Sequence, residues 1–480
     1  MKEMSLTESW VRLAICVAIG AVMWYWPQPS SLMMAEPEAD FSLAWQLASV
    51  FVAVIASFIL RPFPMGVTVI LGFIVLALTH TISIKQALAG YGDTTVWLVV
   101  AAFFLAGGVV NTGLGRRVAL TLVTRLGQSS LGLAYAVCGA ELLLGPVIPS
   151  NTVRGGGILA PIVRSLAESL NSRPNQQPEA IGRYLVSVAA HANLITASMF
   201  LTGMAANSLV SKAAADIVGV EFGWGRWALG AIVPGLLALL LLPWLMRWLV
   251  RPTLTATSAA QETARHELKQ LGSWSTGELI VAFTMLGLLI LWMTKPLHGM
   301  HNTLVAWIGI AVLLATKTQT WDDVISNKGA WDTFIWLGGL LAMANLLKEY
   351  GFVDWVAHGA GDLVRGLPAL AIVIILAVIY YYSMYSFSML TAHISAMVAA
   401  FLLVASTSGA PPILAVALLA YFSNLCASTT NYSTGPVVIY FGMGYVPAPL
   451  WFRTGFVVSL FHMLIWLTVG LLWWKLLGWW

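Results

Sequence analysis

Long runs of apolar residues recur along almost the whole chain, separated by short polar segments. A helix needs about 20 mostly apolar residues to cross the hydrocarbon core of a bilayer. Apolar side chains make up 59% of the residues and charged side chains only 9%, whereas a soluble domain carries about 25% charged residues. The sequence therefore predicts an all-α polytopic membrane protein whose main partner is the lipid bilayer.

Charge and motif content exclude several other classes. The formal net charge is only +4, and the basic residues are scattered through polar segments, so we expect no nucleic-acid partner. HExxH and GxSxG motifs are absent from the sequence, which leaves an intramembrane enzyme as a remote alternative. Proton antiport is disfavoured because Glu141 is the only carboxylate clearly inside a span.

The order of the apolar runs predicts four parts. Residues 1–42 hold a first span and an outer loop, 43–249 a first repeat, 250–275 a hydrophilic linker and 276–480 a second repeat. Run lengths predict about eleven transmembrane helices plus two re-entrant hairpins.

An internal match supports the repeat. Asp-Thr-Thr-Val-Trp-Leu at 93–98 corresponds to Asp-Thr-Phe-Ile-Trp-Leu at 332–337, with the two tryptophans 239 residues apart. The same offset places Thr152 opposite Thr391, and each half carries a hairpin followed by an interrupted span. This order is typical of an inverted-repeat secondary transporter.

Polar residues lie at the predicted hairpin tips, where hydrocarbon offers them no hydrogen-bond partner. The first tip is Ser150-Asn151-Thr152, between arms at 130–149 and 155–170, and the second is at 389–391. Hydroxyls, amides and free N–H groups at helix ends bind anions without holding them too tightly. We expect a small anion to bind at these tips, although such residues also form ordinary turns.

Helix breaks at 202–207 and 428–431 contribute further candidates, although Ser and Thr in spans often bond within their own helix. The predicted substrate-binding residues are Ser150, Asn151, Thr152, Arg154, Thr202, Gly203, Asn207, Thr391, Ser428, Thr430 and Asn431. Arg154 needs a carboxylate partner inside the membrane. The partner is either Glu141, 13 residues earlier, or the substrate, and the sequence leaves both open.

Basic residues predict the orientation. Arg61, the pair at 116–117, the arginines of the linker region and Arg453 fall on one side if the spans alternate. That side should be the cytoplasm, with the amino terminus inside and the carboxyl terminus outside. The acidic residues of segment 36–40 then lie outside the cell.

The motifs at 149–158 (Pro-Ser-Asn-Thr-Val-Arg-Gly-Gly-Gly-Ile) and 431–442 resemble the divalent anion/sodium symporter (DASS) family. They are most similar to the branch of plastid 2-oxoglutarate/malate translocators and bacterial citrate/succinate and tartrate/succinate antiporters. The resemblance implies a homodimer that works as an elevator-type transporter in the inner membrane. It also implies that tips and breaks bind substrate carboxylates.

The second tip departs from that branch, which usually has Ser-Leu-Thr before Ala-His. Here the sequence is Met389-Leu390-Thr391-Ala392-His393, so Met389 replaces the serine. Met and Leu side chains offer no oxygen to a sodium ion. We therefore expect sodium-independent exchange of di- or tricarboxylates such as malate, succinate, 2-oxoglutarate and citrate. The alternative is sodium-coupled symport, with Na⁺ as a coupling ion near Ser150, Asn151 and Gly203; no other cofactor is expected.

Overall fold

A computed structural model describes residues 6–28, 41–352, 355–356, 368–407 and 409–480. These residues form helices and no β-strand, apart from two isolated bridges. The acidic segment 36–40 and most of residues 352–366, whose sequence predicts an amphipathic helix, lie outside the described residues.

The described residues of the first half form eleven α-helices. They are α1 Leu6–Tyr25, α2 Phe41–Leu60, α3 Met65–Leu78, α4 Ile84–Ala89, α5 Thr94–Thr112, α6 Leu114–Leu126, α7 Ser130–Leu144, α8 Ala160–Ser169, α9 Gly182–Met199, α10 Asn207–Val218 and α11 Trp224–Val250.

The linker contains one helix, α12 Ser258–Gln270, and the second half follows it. Its helices are α13 Thr276–Met293, α14 Lys295–His298, α15 Asn302–Ala315, α16 Trp321–Ile325, α17 Lys328–Glu349, α18 Ala369–Ser383, α19 Leu390–Thr407, α20 Pro412–Leu425, α21 Gly435–Gly442, α22 Ala448–Ile465 and α23 Leu471–Leu476.

Ten helices of the described residues are long and apolar enough to cross a membrane. Two of them are the arms of the second hairpin; counting the shorter α3 and α15 and the broken pair α9–α10 as further crossings gives the predicted number of about eleven. The predicted all-α fold with two hairpins is confirmed.

Each hairpin starts its second arm earlier than the sequence suggested. In the first hairpin the turn spans 145–151 and the second arm begins as a π-helical stretch, Thr152–Leu159, that continues into α8. In the second hairpin the turn spans 384–389, so Thr391 lies in the first turn of α19 rather than at the tip. Arg154 and the three glycines after it are therefore helical.

The helices pack into two bundles. The scaffold contains α2, α3, α5, α13, α15 and α17, which pack on one another. The transport bundle contains the hairpins, both broken spans, α11 and α22. Within it the repeats interleave, because α10 of the first repeat packs on hairpin arm α19 and α21 of the second packs on the first hairpin.

The linker is more ordered than its composition suggested, because α12 lies against α6. Thr257 Oγ1 donates to the Gly127 carbonyl (2.8 Å) and Gln261 Nε2 to the Thr124 carbonyl (2.7 Å). Arg117 of α6 forms a buried ion pair with Glu278 in the first turn of α13 (2.6 Å). We call this end of the bundle the linker end.

The matched aspartates of the two repeats have different roles. Asp93 is the N-cap of α5 and accepts from Thr95 N at 2.7 Å. Asp332 lies inside α17, because Asn327 caps that helix more than one turn earlier. The two repeats therefore share the order of their helices, but the matched helices do not begin at equivalent positions.

Candidate functional site

Arg154 is fully buried inside the first hairpin and forms an ion pair with Glu141. Its Nε donates to Glu141 Oε2 at 2.7 Å, and both side chains are 0% exposed. The other N–H groups donate to four more oxygens at 2.9–3.4 Å, namely Ile148 O, Gly203 O, Asn193 O and Thr196 Oγ1. A guanidinium has five N–H groups, so none is left for a ligand in this structure.

This geometry decides between the two partners that the sequence left open. Glu141 is the partner of Arg154, which connects the first hairpin to the first break, residues 200–206. We therefore assign Arg154 a positioning role rather than the substrate contact first predicted for it.

Two residues of α9 complete this network and were not predicted. Asn193 Nδ2 donates to both oxygens of Glu141 (3.0 and 3.2 Å) and to the Asn151 carbonyl (3.2 Å). Thr196 Oγ1 lies 3.1 Å from Glu141 Oε2. Polar residues in an apolar helix resemble ordinary interhelical hydrogen-bonding residues, so only their spacing of three, on one helix face, could have suggested a shared role.

The second hairpin carries a neutral counterpart of this network. Adding the repeat offset of 239 to Glu141 and Arg154 gives Tyr380 and His393. His393 Nε2 lies 3.0 Å from the Tyr380 carbonyl and their rings are 4.5 Å apart. Tyr380 Oη lies 2.8 Å from Ser423 Oγ on α20, much as Glu141 contacts Thr196. The structural equivalence supports the inverted repeat.

The first break is held by side chains that had been predicted to bind substrate. Asn207 Nδ2 donates to the Ala197 and Phe200 carbonyls (2.9 and 3.0 Å), and Asn424 donates to its Oδ1 (2.7 Å). Asn207 thus caps the end of α9.

Thr202 and Gly203 are also engaged by the protein. Thr202 Oγ1 donates to the Pro146 carbonyl (2.6 Å) and accepts from Trp224 Nε1 (2.9 Å). The Gly203 carbonyl accepts from Arg154. These residues shape the site in this structure and present no free side-chain group to a ligand.

Both hairpins meet the second break, residues 426–434, at adjacent residues. Asn151 Nδ2 donates to Thr434 Oγ1 (3.1 Å), and Leu390 N donates to the Ser433 carbonyl (2.7 Å). The repeat offset gave Thr152 and Thr391 as equivalent positions, and in the structure the segment Ser433–Thr434 joins the two tips. The sequence signal that could have indicated this junction is the pair of hydroxyl residues just before Gly435-Pro436.

The glycines after Arg154 allow this close approach. A Cβ on Gly155 would lie 2.7 Å from the Asn193 side chain, and a Cβ on Gly156 would lie 2.3 Å from Ile439 on α21. Tyr440 Oη donates to the Gly155 carbonyl (3.0 Å). Side chains at these positions would push the first hairpin away from the second break.

The remaining predicted residues surround this junction. Ser150 Oγ accepts from Val153 N (3.2 Å) and is half-buried, as are Thr391 and Asn431, whereas Thr152 is exposed. Thr430 is 0% exposed, and its Oγ1 has no hydrogen-bond partner among the described residues. A buried unpartnered hydroxyl is costly unless a ligand or water fills the place.

Ser428 is held by the second hairpin through Tyr381. The buried Tyr381 hydroxyl lies 2.6 Å from the Leu425 carbonyl, 2.9 Å from Ser428 Oγ and 3.0 Å from His462 Nδ1. One hydroxyl therefore joins the last turn of α20, the second break and α22.

Known proteins resemble this chain over almost its whole length. A family profile described as "Sodium:sulfate symporter transmembrane region" matches residues 7–480. The chain belongs to this family. The DASS resemblance read from the hairpin motifs is confirmed, and because the family and its members are transporters, the enzyme alternative is excluded.

Relatives and one solved structure agree with this assignment. The chain is 44% identical to the proposed malate transporter YflS of Bacillus subtilis, covering 98% of this chain and 97% of that protein. It is 38% identical to Dicarboxylate transporter 1 of Arabidopsis thaliana chloroplasts (98% and 83%). The YdaH transporter of Alcanivorax borkumensis shares the fold, with a TM-score of 0.52 and 15% identity over 98% of each chain.

We predict that Glu141→Leu and Arg154→Leu each destabilise the protein strongly. Either change leaves an unpaired charge in the core, which costs about 3–5 kcal/mol, and the double variant should recover part of that loss. The measurement is the thermal midpoint of the detergent-solubilised protein by fluorescence-detected size exclusion. As a control, Arg164→Leu breaks only the exposed pair with Glu168 and should cost less than about 1 kcal/mol. A double variant no more stable than either single would contradict the pairing.

We also predict that Tyr381→Phe raises the KM for transport roughly fivefold to tenfold, since one lost buried hydrogen bond is worth about 1 kcal/mol. The matched control is Tyr382→Phe, whose hydroxyl lies 3.1 Å from Ser459 outside the site. Both variants should lose similar thermal stability, but only Tyr381→Phe should change KM in a vesicle uptake assay. Equal KM values would mean that Tyr381 only stabilises the fold.

Proposed function

We propose that this protein exchanges small dicarboxylates, such as malate, succinate and 2-oxoglutarate, or a tricarboxylate such as citrate, across the inner membrane. The named activities of the malate and chloroplast dicarboxylate transporters support this substrate class. The observation that carries the proposal is the junction of both hairpins with the second break, where neutral hydroxyl and amide groups converge.

A neutral site suits a transported anion. The buried cation Arg154 is already neutralised by Glu141, so a substrate carboxylate would bind to hydroxyls, amides and helix-end N–H groups. Such donors balance the desolvation of an anion without the strong attraction of a free guanidinium, and weak binding allows release. We propose Ser150, Asn151, Thr152, Thr391, Ser428, Thr430 and Asn431 as the contact residues.

Hydrogen bonds inside the protein favour transport without sodium. The sodium alternative needs oxygens near Ser150, Asn151 and Gly203, but the Gly203 carbonyl accepts from Arg154 and the Asn151 carbonyl from Asn193. Two of the oxygens that a coupling ion would need are thus already engaged by hydrogen bonds within the protein. Without a coupling ion, we propose that the carrier returns loaded with a second anion rather than empty. Transport is then an exchange of one anion for another.

The separation into two bundles supports a proposal for how the site moves. We propose that the transport bundle slides along the scaffold as an elevator, in a homodimer as the family resemblance implies. The arginines of the linker end support a cytoplasmic position for that end, with the amino terminus inside and the carboxyl terminus outside.

The central test is exchange in proteoliposomes. Vesicles loaded with unlabelled succinate should take up labelled malate at least tenfold faster than empty vesicles, and replacing external sodium by choline should not change the rate. Unlabelled di- and tricarboxylates added outside should rank the substrates by competition. Uptake that requires external sodium and no internal acid would support symport and exclude exchange.

Asn151→Ala tests the first tip directly. It removes the amide that reaches Thr434, and we expect uptake to fall more than tenfold, since a lost hydrogen bond to a charged ligand costs about 1.5–3 kcal/mol. Asn345→Ala, at an exposed position of scaffold helix α17, is the matched control. Unchanged uptake by Asn151→Ala would show that the tip is only a turn.

A further inference from the structure

Two transport-bundle helices present apolar faces to the bilayer. α11 exposes large apolar side chains at intervals of three or four residues, and these are Leu229, Val233, Leu236, Leu240, Trp244 and Trp248. α22, which packs beside α11, does the same with Phe456, Leu460 and Leu464. Such faces are solvated by acyl chains rather than by water.

At the linker end each face terminates in an arginine. Arg251 follows the last residue of α11, and Arg453 lies one turn before Phe456 on α22. Together with Trp248 and Leu249 they line a cleft of about 260 Å³. The charged ends of both helices thus open into one small space at the edge of the membrane.

The cleft lacks a compensating negative charge. No ion pair involves Arg251 or Arg453 among the described residues, and no acidic residue lines the cleft. Arg251 Nε donates only to the Trp248 carbonyl (3.4 Å), which keeps the side chain beside the cleft. Two guanidinium groups that share a space repel each other unless an anion lies between them, and phosphate oxygens match the guanidinium fork.

We infer that this cleft binds the headgroup phosphate of an anionic phospholipid in the leaflet at the linker end. The acyl chains lie along the apolar faces of α11 and α22, and Trp248 packs at the level of the headgroup, as interfacial tryptophans do. A free phosphate ion would use the same arginines but not the apolar faces. The continuity of cleft and faces is the reason for assigning a lipid.

The test uses delipidated full-length protein in detergent, with the thermal midpoint and native mass spectrometry as readouts. The probes are phosphatidylglycerol, phosphatidylcholine and inorganic phosphate. Phosphatidylglycerol should remain bound and raise the midpoint by several degrees. Arg251→Gln and Arg453→Gln should each weaken its retention about fivefold, since a basic residue near the membrane surface contributes about 1 kcal/mol to binding anionic lipid.

Arg164→Gln is the matched control, because Arg164 is an exposed arginine of the linker end that is already paired with Glu168. It should retain phosphatidylglycerol like the unchanged protein. If the double variant Arg251→Gln/Arg453→Gln retained phosphatidylglycerol fully, the proposed site would be wrong. If inorganic phosphate raised the thermal midpoint as much as phosphatidylglycerol does, the assignment of a lipid would be wrong. These readouts measure no transport, so they are independent of the proposed substrate.

Discussion

Two opposite charges inside the membrane core, Arg154 and Glu141, set the conditions for the rest of the site. A charged side chain at that depth is unfavourable by several kcal/mol unless it is paired and fully hydrogen-bonded. The pair meets this requirement by taking acceptors from a hairpin turn, a helix break and α9. The shapes of these three elements are therefore coupled to one ion pair.

The fold was largely predictable, because the lengths of the apolar runs and the internal sequence match can both be read without knowing any tertiary contact. The start of each second arm was misplaced by a few residues, since Thr152, Arg154 and Thr391 suggested a turn but lie in the first helical turns of the arms. The partner of Arg154 could not be predicted, because a carboxylate of the protein and one of a substrate satisfy the same electrostatic need.

The site itself was predicted in part. The sequence identified both tips and both breaks and gave Thr152 and Thr391 as equivalent positions, but it did not indicate which segment joins the tips. The structure joins them through Ser433–Thr434, because the first hairpin packs on the broken span of the other repeat while the second hairpin contacts the break of its own repeat. Repeat offsets reveal which positions are equivalent, whereas contacts between repeats depend on packing that no offset encodes.

The interleaving of the repeats has a consequence for biogenesis. The first hairpin can be inserted early in translation, yet the partners of Asn151 and Gly155 belong to residues 434–440, almost 300 positions later. Contacts of such long sequence separation form late and slowly. Until the ribosome has passed Tyr440, the nascent first half can complete its Arg154–Glu141 pair within residues 141–203, but its polar tip lacks the partners that residues 434–440 supply.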